Sequence, residues 1–167
     1  ILPDSVSFIG RSAFEDCIYL KSVHLPNNPN MTFDGYQTES IFKRAGITYL
    51  NVPDKWTKIP HSFCQECKQL VRLNIGSGVK SIDFYSFSLC SALGLDRYPL
   101  IIPDNVEVIK SGAFGFTEIN AIVIGKGVKD IYSYAFGNLP HDFNSLTLSC
   151  KEVTIHSEAF GGGVNLQ

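Results

Sequence analysis

Short apolar runs alternate with turn-forming residues along the whole chain, and one phrase recurs. A small or apolar residue precedes a phenylalanine, a short polar stretch follows, and an apolar alternation then ends in proline or glycine. The phenylalanines are Phe14, Phe42, Phe63, Phe87, Phe114, Phe136 and Phe160, spaced 28, 21, 24, 27, 22 and 24 residues apart. A repeat of this size predicts a solenoid, one coil of chain per repeat, rather than a propeller or helical hairpins.

The register extends beyond the phenylalanine. An isoleucine stands five residues earlier in most copies (Ile9, Ile82, Ile109, Ile131, Ile155), and Ile59 stands four before Phe63. Three residues earlier again comes Val6, Val79, Val106 or Val128, with Trp56 in the third copy and a shortened spacing at Val153. Upstream lies a turn: Pro3-Asp4, Pro53-Asp54, Gly76-Ser77-Gly78, Pro103-Asp104 or Gly125-Lys126-Gly127. Pro-Asp and Gly-x-Gly serve here as alternative reversals between extended segments. Apolar residues in 20–25, 47–52, 70–75, 119–124 and 143–148 alternate as in a strand with one buried face. Val-x-x-Ile reads as a second short strand. Ser12-Ala13-Phe14 and its equivalents at Ser111 and Ser133 predict a helical turn capped by serine.

One coil cannot bury its own apolar edge, whereas stacked coils share a continuous core of Ile, Val and Phe. Each buried Phe or Ile contributes roughly 1.5–3 kcal/mol before entropy is subtracted. The expected fold is a β-rich α/β solenoid, a right-handed superhelix of about seven coils of short strands and short helical turns. It is read as one domain over 1–167, with irregular segments at 27–40 and 94–99 and a partial repeat at 150–167.

The phrases Ile102-Pro103-Asp104-Asn105-Val106, Ala113-Phe114, and Ala13-Phe14-Glu15-Asp16-Cys17-Ile18-Tyr19-Leu20 with Val23, Leu25 and Pro26 resemble the BspA-type (Treponema pallidum-type) leucine-rich repeat. The resemblance runs over 2–160. It implies a right-handed leucine-rich-repeat superhelix in a secreted or cell-surface protein whose repeats serve adhesion or recognition.

Composition narrows the partners. The 167 residues carry 14 Lys+Arg against 16 Asp+Glu, a net charge of -2, so neither a nucleic-acid platform nor a polybasic membrane patch is expected. No apolar run is long enough to span a bilayer. The chain starts at Ile1 and its one methionine is Met31, which reads as a processed or trimmed piece.

Five cysteines do not form an even disulfide framework. His61-x-x-Cys64-x-x-Cys67 has spacing compatible with part of a zinc site, but no second ligand pair follows. Cys17 and Cys90 each fall three residues after the repeat phenylalanine, and Cys67 four after Phe63, which favours small core residues at a corner over metal ligands. A Cys67–Cys90 bridge between neighbouring coils is one further option. Gly76-Ser77-Gly78-Val79-Lys80 lacks P-loop spacing and shares its repeat position with Gly125-Lys126-Gly127. Gly161-Gly162-Gly163 reads as a flexible exit or truncated cap. Asn30-Met31-Thr32 fits a glycosylation acceptor or simply an exposed turn. Asp4, Asp54 and Asp104 recur with the scaffold rather than converging, and His24, His61, His141 and His156 flank no nucleophile elbow, so no catalytic residue, metal or cofactor is assigned.

The outward positions of the longer strands offer the recognition face. His24, Tyr49, Asn51, Arg72 and Asn74 form its larger, more polar end, expected on the concave side. The leading functional expectation is a non-enzymatic recognition or adhesion module, extracellular or at the cell surface, binding a protein or glycan. The alternatives are a structural spacer and an accessory region for another domain.

Overall fold

The computed structural model describes residues 1–34 and 39–162. Residues 35–38 of the irregular segment 27–40, and 163–167 of the partial repeat, including Gly163, lie outside the described residues.

Among the described residues, twelve short strands run in parallel. One ladder holds β1 (Phe8–Ile9), β2 (Thr32–Phe33), β4 (Lys58–Ile59), β6 (Ser81–Ile82), β8 (Val108–Ile109), β10 (Asp130–Ile131) and β12 (Thr154–Ile155). The other, the strand face, holds β3 (Tyr49–Asn51), β5 (Arg72–Asn74), β7 (Leu100–Ile102), β9 (Ala121–Ile124) and β11 (Ser145–Leu148). In the first ladder β1 pairs with β2, and β4 through β12 form one five-stranded sheet. Ile59, Ile82, Ile109, Ile131 and Ile155 stand in register along that sheet. Phe33 pairs with Ile9, taking the isoleucine position in the second repeat.

The result is a parallel β-solenoid of about six turns. Two expectations need correction. The seven phenylalanine positions bound six turns between them, so seven coils is one too many. There is also no helix among the described residues, and the α/β description fails for a reason of backbone geometry. Each coil carries two left-handed residues four apart around the phenylalanine: Ser12 and Asp16, Ser40 and Arg44, Ser62 and Glu66, Tyr85 and Leu89, Gly112 and Phe116, Tyr134 and Asn138. A right-handed helix does not tolerate such residues in its middle. The amides of this corner bond instead to the next coil: Phe14 N–H donates to Ile41 O, Phe42 to Phe63 O, Phe87 to Ala113 O, Phe114 to Ala135 O and Phe136 to Ala159 O, at 2.7–2.8 Å. The corner is a third ladder, and Ser12 lies in it with φ 54° rather than capping a helix.

This ladder also resets the third repeat. There the amide of Cys64, not Phe63, donates to Ser86 O at 2.7 Å. Cys64 therefore holds the phenylalanine position, which restores the five-residue spacing from Ile59 and places Cys67 three residues on, like Cys17 and Cys90. Phe63 sits one step early and fills the volume a cysteine leaves, edge-on to Phe42 (5.3 Å), Trp56 (5.7 Å) and Phe87 (6.4 Å). Elsewhere the rings stack face to face: Phe14 on Phe42, then Phe87, Phe114, Phe136 and Phe160 in succession, at 5.0–5.4 Å. Close packing is conserved by a compensating pair, a large residue beside a small one.

The five cysteines are unbridged, and Cys64, Cys67 and Cys90 lie wholly inside. Cys67 Sγ donates to Phe42 O (2.9 Å) and Cys90 Sγ to Cys64 O (3.1 Å). Burial pushes the Cys64 thiol well above the ordinary thiol range, with a further contribution from Cys67; burial does the same for Cys90.

The turns interlock as well. A Cβ on Gly76 or Gly78 would lie 2.2 and 2.0 Å from the carbonyl oxygens of Pro53 and Asp54, and one on Gly125 or Gly127 meets Pro103 and Asp104 in the same way. Glycine is required at these four positions by the preceding Pro-Asp turn, with no left-handed φ at any of them. Asp54 Oδ1 accepts from Ser77 N–H (2.8 Å) and Asp104 Oδ1 from Lys126 N–H (3.1 Å), tying each Pro-Asp turn to the Gly-x-Gly turn above it.

Three outcomes follow for stability. Phe114→Ala, removing a ring held between Phe87 and Phe136, is expected to cost roughly 3–5 kcal/mol in urea unfolding; an unchanged midpoint would contradict the stack. Gly127→Ala is expected to destabilise by about 1–3 kcal/mol or more, whereas Gly115→Ala, whose Cβ meets nothing closer than 3.6 Å, stays near neutral. Because the buried thiols of Cys64 and Cys90 are raised in the folded state, their contribution is complete below the unfolded thiol pKa of about 8.5 and declines as pH rises past it. The urea midpoint should therefore fall between pH 8 and 10, and less so in Cys64→Ala.

Candidate functional site

The strand face is not continuous. β3 pairs with β5, and β9 with both β7 and β11, but no strand pairing joins β5 to β7. The turn residues explain the break. In the β7–β9 and β9–β11 joints, the residue just past the strand donates to the coil before it: Gly125 N–H to Ile102 O and Ser149 N–H to Ile124 O, both 2.9 Å. At the equivalent place β7 is followed by Pro103, and Pro99 precedes it in the strand line; neither has an N–H. Prolines thus remove two of the three donors with which this edge would reach β5. Pro53 does the same below β3, and the first coil, 20–25, has no strand. Proline turns open the joint beneath them, and glycine turns close it.

The joint between β5 and β7 encloses a cleft of about 360 Å3. Its floor is Leu73, Leu93, Leu100 and Ile119, and its rim is Arg72, Asn74, Asp96, Tyr98 and Ile101. The rim comes from the expanded segment 94–99. Coil stacking holds as far as Gly94, whose N–H donates to Val71 O (3.1 Å), while Glu118 N–H donates to Leu93 O (2.9 Å). Gly94 is forced twice, by φ 101° and by Glu118 O at 2.5 Å from any Cβ. The chain then leaves the stack. Asp96 accepts from Arg72 Nε at 2.7 Å, the Arg72 guanidinium lies 3.9 Å from the Tyr98 ring centre, and Arg97 pairs with Asp142. Asp96 raises the Arg72 guanidinium further above its already high ordinary value, and Arg97 holds the Asp142 carboxyl below the usual carboxylate range.

The sequence-derived face residues fall in two rows. Asn51 and Asn74 are directly opposite and joined by Nδ2 to Oδ1 at 2.6 Å; Tyr49 is opposite Arg72. Tyr49, Asn51 and Asn74 are exposed and Arg72 half-buried. His24 is exposed but outside any strand, beside a second hollow of about 300 Å3 bounded by Val23, Asn27, Asn51, Pro53 and Asp54. The structure brings Tyr49, Asn51, Arg72 and Asn74 together and leaves His24 one open joint away.

Sequence reasoning missed Asp96, Tyr98, Leu100 and Ile101, because the expansion hid strand β7. The prolines at 99 and 103 were the available signal. It also missed a surface row on the corner side, where Lys110 Nζ lies 5.6 Å from the Phe84 ring centre and 4.8 Å from that of Tyr132, and Tyr132 stacks on His156 at 4.4 Å. Those ring faces cover one another, so the row is self-satisfied. Around His61, Nδ1 lies 2.8 Å from Ser62 Oγ and the ring packs near Phe84 and Tyr85, away from the thiols, which bond to carbonyls.

The family model for the BspA type leucine rich repeat region matches in six copies, over residues 1–97 and 97–167. Proteins with this repeat are often surface or secreted binding proteins, and the repeat is generally non-enzymatic. Searches of curated proteins and of solved structures returned no match. With its stacked coils, in-register isoleucines and six matched copies, the chain belongs to the BspA-type leucine-rich-repeat family.

Proposed function

We propose that the chain is a non-enzymatic recognition or adhesion module, working at a cell surface or outside the cell, that holds a protein or glycan against its strand face. The observation that carries this reading is the cleft between β5 and β7 with its rim of Arg72, Asn74, Tyr98 and Ile101. Tyr98 and Ile101 are about 60% exposed, and Tyr49 nearly so, on the same side of the coils. An apolar floor beneath a rim of Tyr and Arg has the composition of a contact centre. The scaffold behind it is stiff, because every coil is bonded to its neighbours, so little ordering entropy opposes association.

Catalytic chemistry has less support. The acidic groups with lowered pKa are dispersed: Asp16 is held by Arg44, Asp54 by Ser77, Asp104 by Lys126, Glu107 by Lys129 and Asp142 by Arg97. Each is a staple between coils, and none faces a common reacting atom.

The test is a screen of extracellular-matrix proteins and oligosaccharides against the intact chain, followed by Tyr49→Ala/Arg72→Ala. The double variant is expected to weaken the identified ligand tenfold or more, about 1.4 kcal/mol. Lys129→Ala, on the other ladder, should leave it unchanged. Equal loss in both, or in neither, would place binding elsewhere.

A further inference from the structure

The split in the strand face has the character of an absent strand. Each closed joint follows one rule, in which alternate residues of the later strand donate to and accept from the earlier one; Val52 N–H to Asn74 O (2.9 Å) is one such bond. Extending that register across the open joint puts Arg72 opposite Pro99, Leu73 opposite Leu100 and Asn74 opposite Ile101, each counted back from its turn. The N–H groups of Leu73 and Ile75, and both the N–H and C=O of Ile101, then face the cleft from its two walls. No backbone hydrogen bond joins the walls. Buried or half-buried main-chain groups left in this state are costly, and pairing them is what a strand offers.

The side chains agree with the main chain. In a strand seated between β5 and β7, one residue would point inward between Leu73 and Leu100, onto Leu93 and Ile119, where the cleft is apolar. Its neighbours would point outward, among Arg72, Asn74 and Ile101.

We infer that the β5–β7 joint receives an extended polypeptide segment of a partner protein, which adds as a strand with an apolar residue at its centre. This deepens the proposed recognition function and rests on it, choosing peptide over glycan. A sugar can hydrogen-bond to the rim, but it does not present the repeating main-chain donors and acceptors that the two edges lack. Pro99 and Pro103 keep the joint from closing on itself, and the 94–99 segment, fastened through Asp96 and Arg97, keeps its rim in place.

A displayed library of random heptapeptides panned against the intact chain supplies the probe. The best binder is then synthesised unmodified and with the central amide N-methylated, and both are measured by calorimetric titration. The N-methylated form is expected to bind at least tenfold more weakly, and the unmodified peptide to slow hydrogen exchange at Leu73, Ile75 and Ile101 at least tenfold. Ile101→Pro, which removes one edge donor at an exposed side chain, should weaken the peptide likewise. The exchange measurement uses the unaltered chain and does not depend on that variant folding. Equal binding of the N-methylated peptide, unchanged exchange at the three amides, or a panning that yields no binder would overturn the inference. So would an oligosaccharide whose binding is lost in Tyr49→Ala/Arg72→Ala, but that result would leave the recognition face standing. Failure of every ligand on that face would remove both.

Discussion

Everything in this molecule depends on whether a backbone amide of one coil reaches a carbonyl of its neighbour. The five-stranded ladder through Ile59, Ile82, Ile109, Ile131 and Ile155 and the corner ladder through the phenylalanine positions both satisfy that requirement coil after coil. They fix the coil-to-coil distance at strand spacing, and the rings of Phe87, Phe114, Phe136 and Phe160 are thereby held at stacking distance. Hydrophobic burial stabilises the stack; the amide ladders determine which side chain meets which.

The same requirement accounts for the surface. Where a proline stands in the donor position, the strand face opens, and a hollow appears below β3 and below β7. Where glycine stands there, the turn drops against the Pro-Asp turn beneath it, with no room for a Cβ, and the face closes. The Pro-Asp to Gly-x-Gly succession therefore alternates open and closed joints as far as β9, and the β9–β11 joint, with Ser149 as donor, is closed as well. Recognition and stability are separated by this alternation: closed joints and the other two ladders carry the fold, while an open joint offers a cleft whose walls are rigid and whose polar edges are unpaired.

Substitutions inside the repeat obey packing as well as register. Cys64 in a phenylalanine position is tolerated because Phe63 and Trp56 crowd in from adjacent positions, and Trp56 Nε1 finds a buried acceptor in Pro26 O at 2.8 Å. The buried thiols of Cys67 and Cys90 likewise donate to carbonyls one coil away. These donors each find a carbonyl one coil away, whereas Thr117 Oγ1 donates to Phe114 O within its own coil and the buried Glu39 Oε2 has no hydrogen-bond partner among the described residues.

Much of this was legible before any coordinates. The phenylalanine and isoleucine spacing determines the solenoid, the family and the inward residues of most strands, because coils related by stacking must repeat their inward side chains. The outward placing of Tyr49, Asn51, Arg72 and Asn74 also follows from alternation, whereas the register that sets Tyr49 opposite Arg72 and Asn51 opposite Asn74 is a property of the paired strands. The backbone of the corner did not follow, since Ser-x-Ala-Phe suits a helical turn locally and only bonding to the next coil turns Ser12 and Asp16 left-handed. Nor did the shift from Phe63 to Cys64, or the cleft, whose walls at Leu73 and Leu100 lie 27 residues apart in sequence. A pattern of side chains records what each coil buries, but which amides find partners is decided between coils, and that is a property of the assembled stack.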